Sequence, residues 1–275
     1  MDDDARRRAA ASCRATGRNP AGGFCLGERA LLAKGADAGC VPPKLALALG
    51  HLFANASVLD VGAGSGRYGA AFARHSPTVH WVGVDGADGV EEQTGGRVRF
   101  ADLTVPLPRA GVLGGPLRPG FDFAMSIEVG EHIPRPQEPA FMHNLARAAR
   151  RGVVLSWARL GQSGTHHVNC QHTRYVACAM RLLGWAHDAP TQERLRAAVV
   201  GNQLRHCYWL RTTVQAFKPA AACEPSALCP LPPTPTPAFS EAYLRATRDM
   251  CPFVHDGCNR TRHPWRPREL APERT

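Results

Sequence analysis

The chain has 275 residues, 44% of them hydrophobic and 20% charged, with 33 Lys and Arg against 23 Asp and Glu. That length and balance suit one large globular domain with appendages and exclude a disordered or fibrous chain. The net charge of +10 is dispersed, with no dense Lys/Arg block, so it favours anionic partners only weakly and marks no nucleic-acid stripe.

Residues 1–40 are small, polar and rich in Gly, Ala and Arg, without an apolar period to hold a long element, and read as an N-terminal arm. Their acidic start, followed by Arg6, Arg7 and Arg8, lacks the apolar core of a secretory signal. Residues 41–218 read as the folded domain. A helix is expected over 43–53, a strand over 57–61, a glycine turn, and a helix over 67–75. Strands follow over 79–84, 97–101, 121–127 and 152–157, and helices over 138–150, 173–183 and 193–200, before a strand-like run over 208–217. This βαβ alternation implies an α/β chain with a parallel, doubly wound sheet and helices on both faces. Residues 219–275 read as a Pro-rich and basic C-terminal tail, with 219–237 extended as polyproline II and the end loosely held.

No run approaches the roughly 20 apolar residues of a membrane span; 45–54 is short and is interrupted by Gly50 and His51. None of the ten cysteines forms a paired C-x-x-C zinc site. Cys13, Cys25 and Cys40 precede the core and Cys223, Cys229, Cys251 and Cys258 follow it, which suits disulfides clamping both tails in an oxidising compartment. Free thiols in the cytoplasm are the default, with the secretory pathway as the alternative. Asn55-Ala56-Ser57 and Asn259-Arg260-Thr261 match the glycosylation sequon.

The strongest motif follows the first strand: Asp60-Val61-Gly62-Ala63-Gly64-Ser65-Gly66-Arg67-Tyr68-Gly69. Glycines at a strand-to-helix turn let the backbone bend sharply and approach a ligand closely. As G-x-G-x-x-G, the glycines at 64, 66 and 69 fit a dinucleotide fingerprint, with Asp85 placed for a ribose. As D-x-G-x-G-x-G, Asp60, Gly62, Gly64 and Gly66 fit S-adenosylmethionine. Asp60 favours the second reading, because a carboxylate attracts a cationic ammonium and repels a pyrophosphate.

On these residues the chain resembles the class I S-adenosylmethionine-dependent methyltransferases over about 57–218. The resemblance implies a Rossmann-like, seven-stranded sheet with the cofactor across the C-terminal ends of the first strands. It implies the methionine moiety at Asp60 to Gly66, the ribose hydroxyls on Asp85, and the adenine near Ala101, Asp102 and Leu103, with Glu128 after the fourth strand.

Ser126-Ile127-Glu128-Val129-Gly130-Glu131-His132-Ile133 is the stretch most informative for mechanism. If it turns helically, Glu128, Glu131 and His132 stand at i, i+3 and i+4 on one face, where they could bind a divalent cation or supply a general base. A second polar loop, Gly161-Gln162-Ser163-Gly164-Thr165-His166-His167-Val168-Asn169, leaves the same sheet edge after the fifth strand, so His166 or His167 could face the first cluster. Similar E-x-x-E-H sequences occur in the ubiquinone-pathway O-methyltransferases and the small-RNA 3′-end 2′-O-methyltransferases, which use a divalent metal there. By position, the resemblance implies a metal such as Mg²⁺ on Glu128, Glu131, His132 and His167. The chain more closely resembles a largely uncharacterised methyltransferase group with a Gly-His-Gly-His loop, in which Thr165 here replaces one histidine.

The expected function is S-adenosylmethionine-dependent methylation of an oxygen or nitrogen on a small-molecule acceptor, with Glu131, His132 and His167 as catalytic residues. The alternatives are a metal-assisted RNA 2′-O-methyltransferase and a non-catalytic cofactor-binding interaction protein whose proline-rich segment docks in aromatic grooves.

Overall fold

The computed structural model describes residues 3–16, 19, 21, 25, 41–107, 120–162, 164, 166–200, 207–222, 228–232, 234–254 and 257–258. Thr165, His206, Cys40, Cys223, the Asn259 sequon and the last basic stretch lie outside them.

Helix α1 (Asp3–Thr16) and helix α2 (Pro43–Leu52) precede strand β1 (Ser57–Val61). Helix α3 (Arg67–His75), β2 (His80–Asp85), α4 (Val90–Thr94) and β3 (Val98–Phe100) follow. Then come β4 (Phe121–Ile127), α5 (Glu138–Ala148), β5 (Ala149–Ser156), α6 (Thr173–Leu182) and β6 (Trp185–His187). Helices α7 (Ala189–Ala197) and α8 (Leu210–Thr213), β7 (Gln215–Pro219) and α9 (Pro237–Met250) complete the order.

The seven strands form one sheet in the order β3-β2-β1-β4-β5-β7-β6. This is a doubly wound, Rossmann-like α/β arrangement, with the strand order reversing direction at β1 and β4. Strands β1 to β5 are parallel, so they are covered on both faces and read as near-continuous apolar runs. Successive side chains alternate: Val58, Phe123 and Met125 meet Leu49, Phe53 and Phe72 of the α2/α3 layer, whereas Leu59, Ala124 and Leu155 meet Phe141, Met142 and Tyr175 of the α5/α6 layer. The register aligns Asp60 with Gly83 on one side and Met125 on the other.

Four expectations about the elements are corrected. The sheet is mixed, because β7 runs antiparallel to both neighbours. The run over 208–217 divides into α8 and β7, and β7 enters between β5 and β6 in the reverse direction. The N-terminal arm contains a helix, because Ala5 and Ala9, one turn apart, make a flat strip that packs on Val90, Val98 and Phe100; alanine favours helix without needing a large apolar stripe. The tail contains α9, capped by Thr236, whose hydroxyl accepts from the Phe239 amide, and burying Phe239, Tyr243 and Thr247 at successive turns. The proline run stops where α9 begins, and proline is compatible with a helix's first turn.

Nor are the described cysteines free thiols. Cys13 pairs with Cys25, Cys170 with Cys258 and Cys178 with Cys251, and Cys207 and Cys229 are also disulfide-bonded. No helix among the described residues is long and apolar enough to cross a membrane. The Cys178–Cys251 bridge closes a 73-residue separation between α6 and the end of α9. Loop closure of that size predicts that replacing both cysteines by serine lowers unfolding free energy by about 2–4 kcal/mol in urea titrations. An unchanged midpoint would show that α9 is held by its packing alone.

Candidate functional site

The polar residues of the buried strands gather at the C-terminal edge of the sheet. Asp60, next to last in β1, is 2% exposed, and Trp81 on β2 donates its indole N–H to the carboxylate at 3.1 Å. Burial, only partly offset by that bond and reinforced by the nearby Asp85, pushes its pKa up to about 7. Asp85, last in β2, accepts from the Gly64 amide at 2.7 Å and the Ala87 amide at 2.8 Å; burial pushes it up to about 6. Tyr68 on α3 lies close enough to Asp60 and Glu128 for both to push its hydroxyl above its usual range, after burial itself.

Between Asp60 and Asp85 runs the glycine turn. The Gly62 and Ala63 amides donate to the Val84 carbonyl, anchoring the turn to β2. Gly64 has φ +54°, and a Cβ there would meet nothing within 4 Å, so the turn borders open space where a ligand can approach the backbone. Gly62 (φ +85°) is tight for another reason: a side chain there would collide with Val129. Asp102 is a turn former, accepting from the amide and hydroxyl of Thr104. The arm reaches this end: Asn19 donates to the Gly86 carbonyl, and the Leu103 amide donates to Ala21.

Past β4 the expected single helical face does not form. Glu128 has φ +57°, and the only helical geometry is a 3₁₀ turn over Gly130–His132. Glu128 therefore stands outside the Glu131, His132 and His167 cluster, although its charge still helps to raise the pKa of Glu131. Its backbone amide donates to the Ser156 hydroxyl, which donates back to its carboxylate at 2.8 Å, and Gln162 donates to the other oxygen. Burial raises its pKa against these bonds.

Glu131, His132 and His167 do come together, with one ligand atom from each within 4.8 Å of the others. Glu131 is 0% exposed, and neither carboxylate oxygen has a hydrogen-bond partner. His167 Nε2 is 3.9 Å from Glu131 Oε1, and the two imidazoles meet edge-on with centroids 5.1 Å apart. His132 Nδ1 lies 3.3 Å from the His166 carbonyl, which can only accept, so a hydrogen bond there takes the proton from Nδ1. Burial holds Glu131 well above the usual carboxylate range and pushes His132 down to about 4, with His167 lowered as well. His166 has φ +60° and presents its carbonyl to the cluster. Gly164 lies against His167: a Cβ would fall 2.0 Å from Nε2.

Ser156, Gln162, Gly164 and Asn169 carry the geometry of this edge but were not singled out from the sequence. Ser156 reads there only as a polar end to an apolar strand, and the other three only as members of the polar loop that follows it.

Residues 58–152 match a family model described as methyltransferase domain. An uncharacterised methyltransferase of Mycobacterium avium (strain 104) is 34% identical over 132 residues, 45% of this chain and 48% of that protein. The match thus spans about half the length of that curated relative. Similar solved structures include the 1,6-didemethyltoxoflavin-N1-methyltransferase of Burkholderia thailandensis, with bound 1,6-didemethyltoxoflavin and S-adenosylhomocysteine, at 17% identity and TM-score 0.42, covering 67% of this chain and 80% of that one. Another is phosphoethanolamine N-methyltransferase 1 of Haemonchus contortus, with phosphoethanolamine and S-adenosylhomocysteine, at 17% identity and TM-score 0.43, covering 74% and 46%.

The raised pKa of Asp60 sets a pH dependence for any cation it receives. Below about pH 7 the free carboxylate is protonated, and a cationic ligand must displace that proton. Affinity for such a ligand should rise with pH toward 7 and level above it, Asp85 adding to the slope near 6. Calorimetric titration with S-adenosylmethionine from about pH 5 to about pH 8, roughly one unit below the lower value and one above the higher, tests this. A flat profile, or no change of slope in Asp60→Asn, removes Asp60 from the site.

Proposed function

We propose that this chain is an S-adenosylmethionine-dependent methyltransferase acting on an oxygen or nitrogen of a small-molecule acceptor. The observation that carries the reading is the glycine turn: open space at Gly64, flanked by two buried carboxylates at the C-terminal edge of the sheet. Asp60 suits a cationic ammonium and Asp85 a pair of hydroxyls, while Gly64 keeps the backbone clear for close approach and Gly62 and Gly66 let the turn pack tightly on Val129 and Val98. Asp102 belongs to the adenine end of this reading, and Glu128 to the boundary between cofactor and acceptor.

Glu131, His132 and His167 are read as the acceptor-activating set. Their chemistry, one buried carboxylate and two imidazoles, also fits a divalent metal; Mg²⁺ would draw mainly on the carboxylate, whereas the imidazoles suit a softer first-row ion. Such an ion, when bound, lowers the pKa of a coordinated hydroxyl. Glu128 is left out of that ligand set, its oxygens being taken by Ser156 and Gln162. Holding acceptor and methyl donor in line would contribute on the order of 7–11 kcal/mol, so orientation by these fixed side chains carries much of the rate.

The same cluster would also serve metal-assisted O-methylation of RNA, the less favoured second reading; RNA retention that falls steeply with salt would distinguish it. A non-catalytic cofactor-binding protein would bind cofactor without turning over any acceptor. The disulfides support residence in an oxidising compartment, the secretory alternative, over the cytoplasm.

Titration with S-adenosylmethionine and S-adenosylhomocysteine, with Mg²⁺ or chelator, tests the central reading. Micromolar binding is expected, and it should be abolished by Gly64→Val, which places a branched side chain at positive φ in the open space. No binding to the folded wild type would overturn the function. His132→Ala should keep cofactor affinity and lower turnover roughly 10²-fold or more. Parallel loss of both would refute the division between cofactor and acceptor residues.

A further inference from the structure

We propose that Asn169, held by the buried Glu138, is the positioning residue that assembles Glu131, His132 and His167 into one cluster. The function of that cluster rests on the reading above; its geometry does not.

Asn169 is fully buried, and its polar groups each have a partner. Its amide donates to the Glu131 carbonyl at 2.9 Å, alongside the Val168 amide at 2.8 Å, and its own carbonyl accepts the Trp157 indole N–H at 2.6 Å. Its side-chain N–H donates to Glu138 Oε2 at 2.8 Å, and its side-chain oxygen accepts from Gln171 at 2.7 Å. The segment carrying His166 and His167 is thereby fastened to the backbone of Glu131, and His132 closes the join through the His166 carbonyl.

Glu138 is the fixed end of this brace. It lies in the first turn of α5, fully buried, and its Oε1 accepts from Arg135, Tyr175 and Tyr243, leaving Oε2 for Asn169. Through Tyr243, and through the bond from Arg135 to Thr247, it is tied to α9. Cys170, the residue after Asn169, is pinned by its disulfide to Cys258.

The two Glu138 oxygens divide their partners, so donor and acceptor can be exchanged without changing shape. Asn169→Asp sets one carboxylate against another. Glu138→Gln sets an N–H₂ against the Asn169 N–H₂ while its oxygen still serves Arg135, Tyr175 and Tyr243. The double variant Glu138→Gln/Asn169→Asp restores one donor and one acceptor with the same net charge as wild type.

The test compares the four proteins by ring NOEs between His132 and His167 without metal, by Co²⁺ titration, and by calorimetry with S-adenosylmethionine. Each single variant should lose the ring NOEs and weaken Co²⁺ binding about 10- to 100-fold while keeping cofactor affinity, and the double should recover both. Single variants that keep the NOEs, or a folded double that does not regain them, would overturn the proposal. Should a single variant fail to fold, the NOEs of the double decide. If the wild type shows its NOEs but binds no Co²⁺, the metal reading falls and the NOE comparison still decides the brace.

Discussion

Glu131 is a carboxylate sealed from water with no hydrogen-bond donor on either oxygen, and the rest of the site is arranged around that condition. A buried ionised carboxylate without partners is strongly unfavourable, so the group must hold a proton or face a cation. Its backbone carbonyl, by contrast, accepts from two amides. The main chain is fixed and the side chain is left open. Seven residues along, Glu138 is as deeply buried, yet each of its oxygens is saturated, with Arg135 beside it as counter-charge. One buried glutamate is a structural anchor; the carboxylate of the other is held above the usual range by burial and by Glu128, with only its own backbone and that of Ala158 acting the other way.

That contrast depends on the sheet. Strands covered on both faces must be apolar along their length, so polar side chains are tolerated only near the strand ends, as Asp60, Asp85, Ser126 and Ser156 show. The parallel strands β1, β2, β4 and β5 finish at the same edge, which puts these groups side by side. The two appendages then brace opposite halves. The arm bonds to the exits of β2 and β3 through Asn19 and Ala21, and α9 reaches the histidine half through Glu138. Disulfides on each side, Cys13–Cys25 and Cys170–Cys258, secure both.

How far this was legible in the sequence follows from what each element depends on. Strands β1, β2 and β4 and helix α3 are local patterns, an apolar run and a 3.6-residue period, and they were read nearly to the residue. Helix α1 escaped because alanine packing leaves no large apolar stripe, and α9 because the proline run before it dominates the composition. The direction of β7 is a topological choice that a ten-residue window does not contain. Glu128 was misplaced for a sharper reason: helical spacing was assumed across a residue whose φ is +57°. Asn169 was invisible as a functional position because its role is defined by partners 31 and 38 residues away, Glu138 and Glu131.

The net charge of +10 pointed weakly toward anionic partners, and the site edge points the other way. Asp60, Asp85, Glu128 and Glu131 all have raised pKa values because burial, the first cause in each case, disfavours their ionised forms. Surface arginines act through water and salt, where charges separated by more than about 8 Å are screened, whereas a cation placed among these carboxylates meets them in a medium that screens far less. Local field therefore outweighs global charge at this edge. An ammonium beside Asp60 and a metal ion beside Glu131 would each draw a carboxylate into its charged form. Glu128 joins the two halves, its charge acting on Tyr68 beside Asp60 and on Glu131 alike.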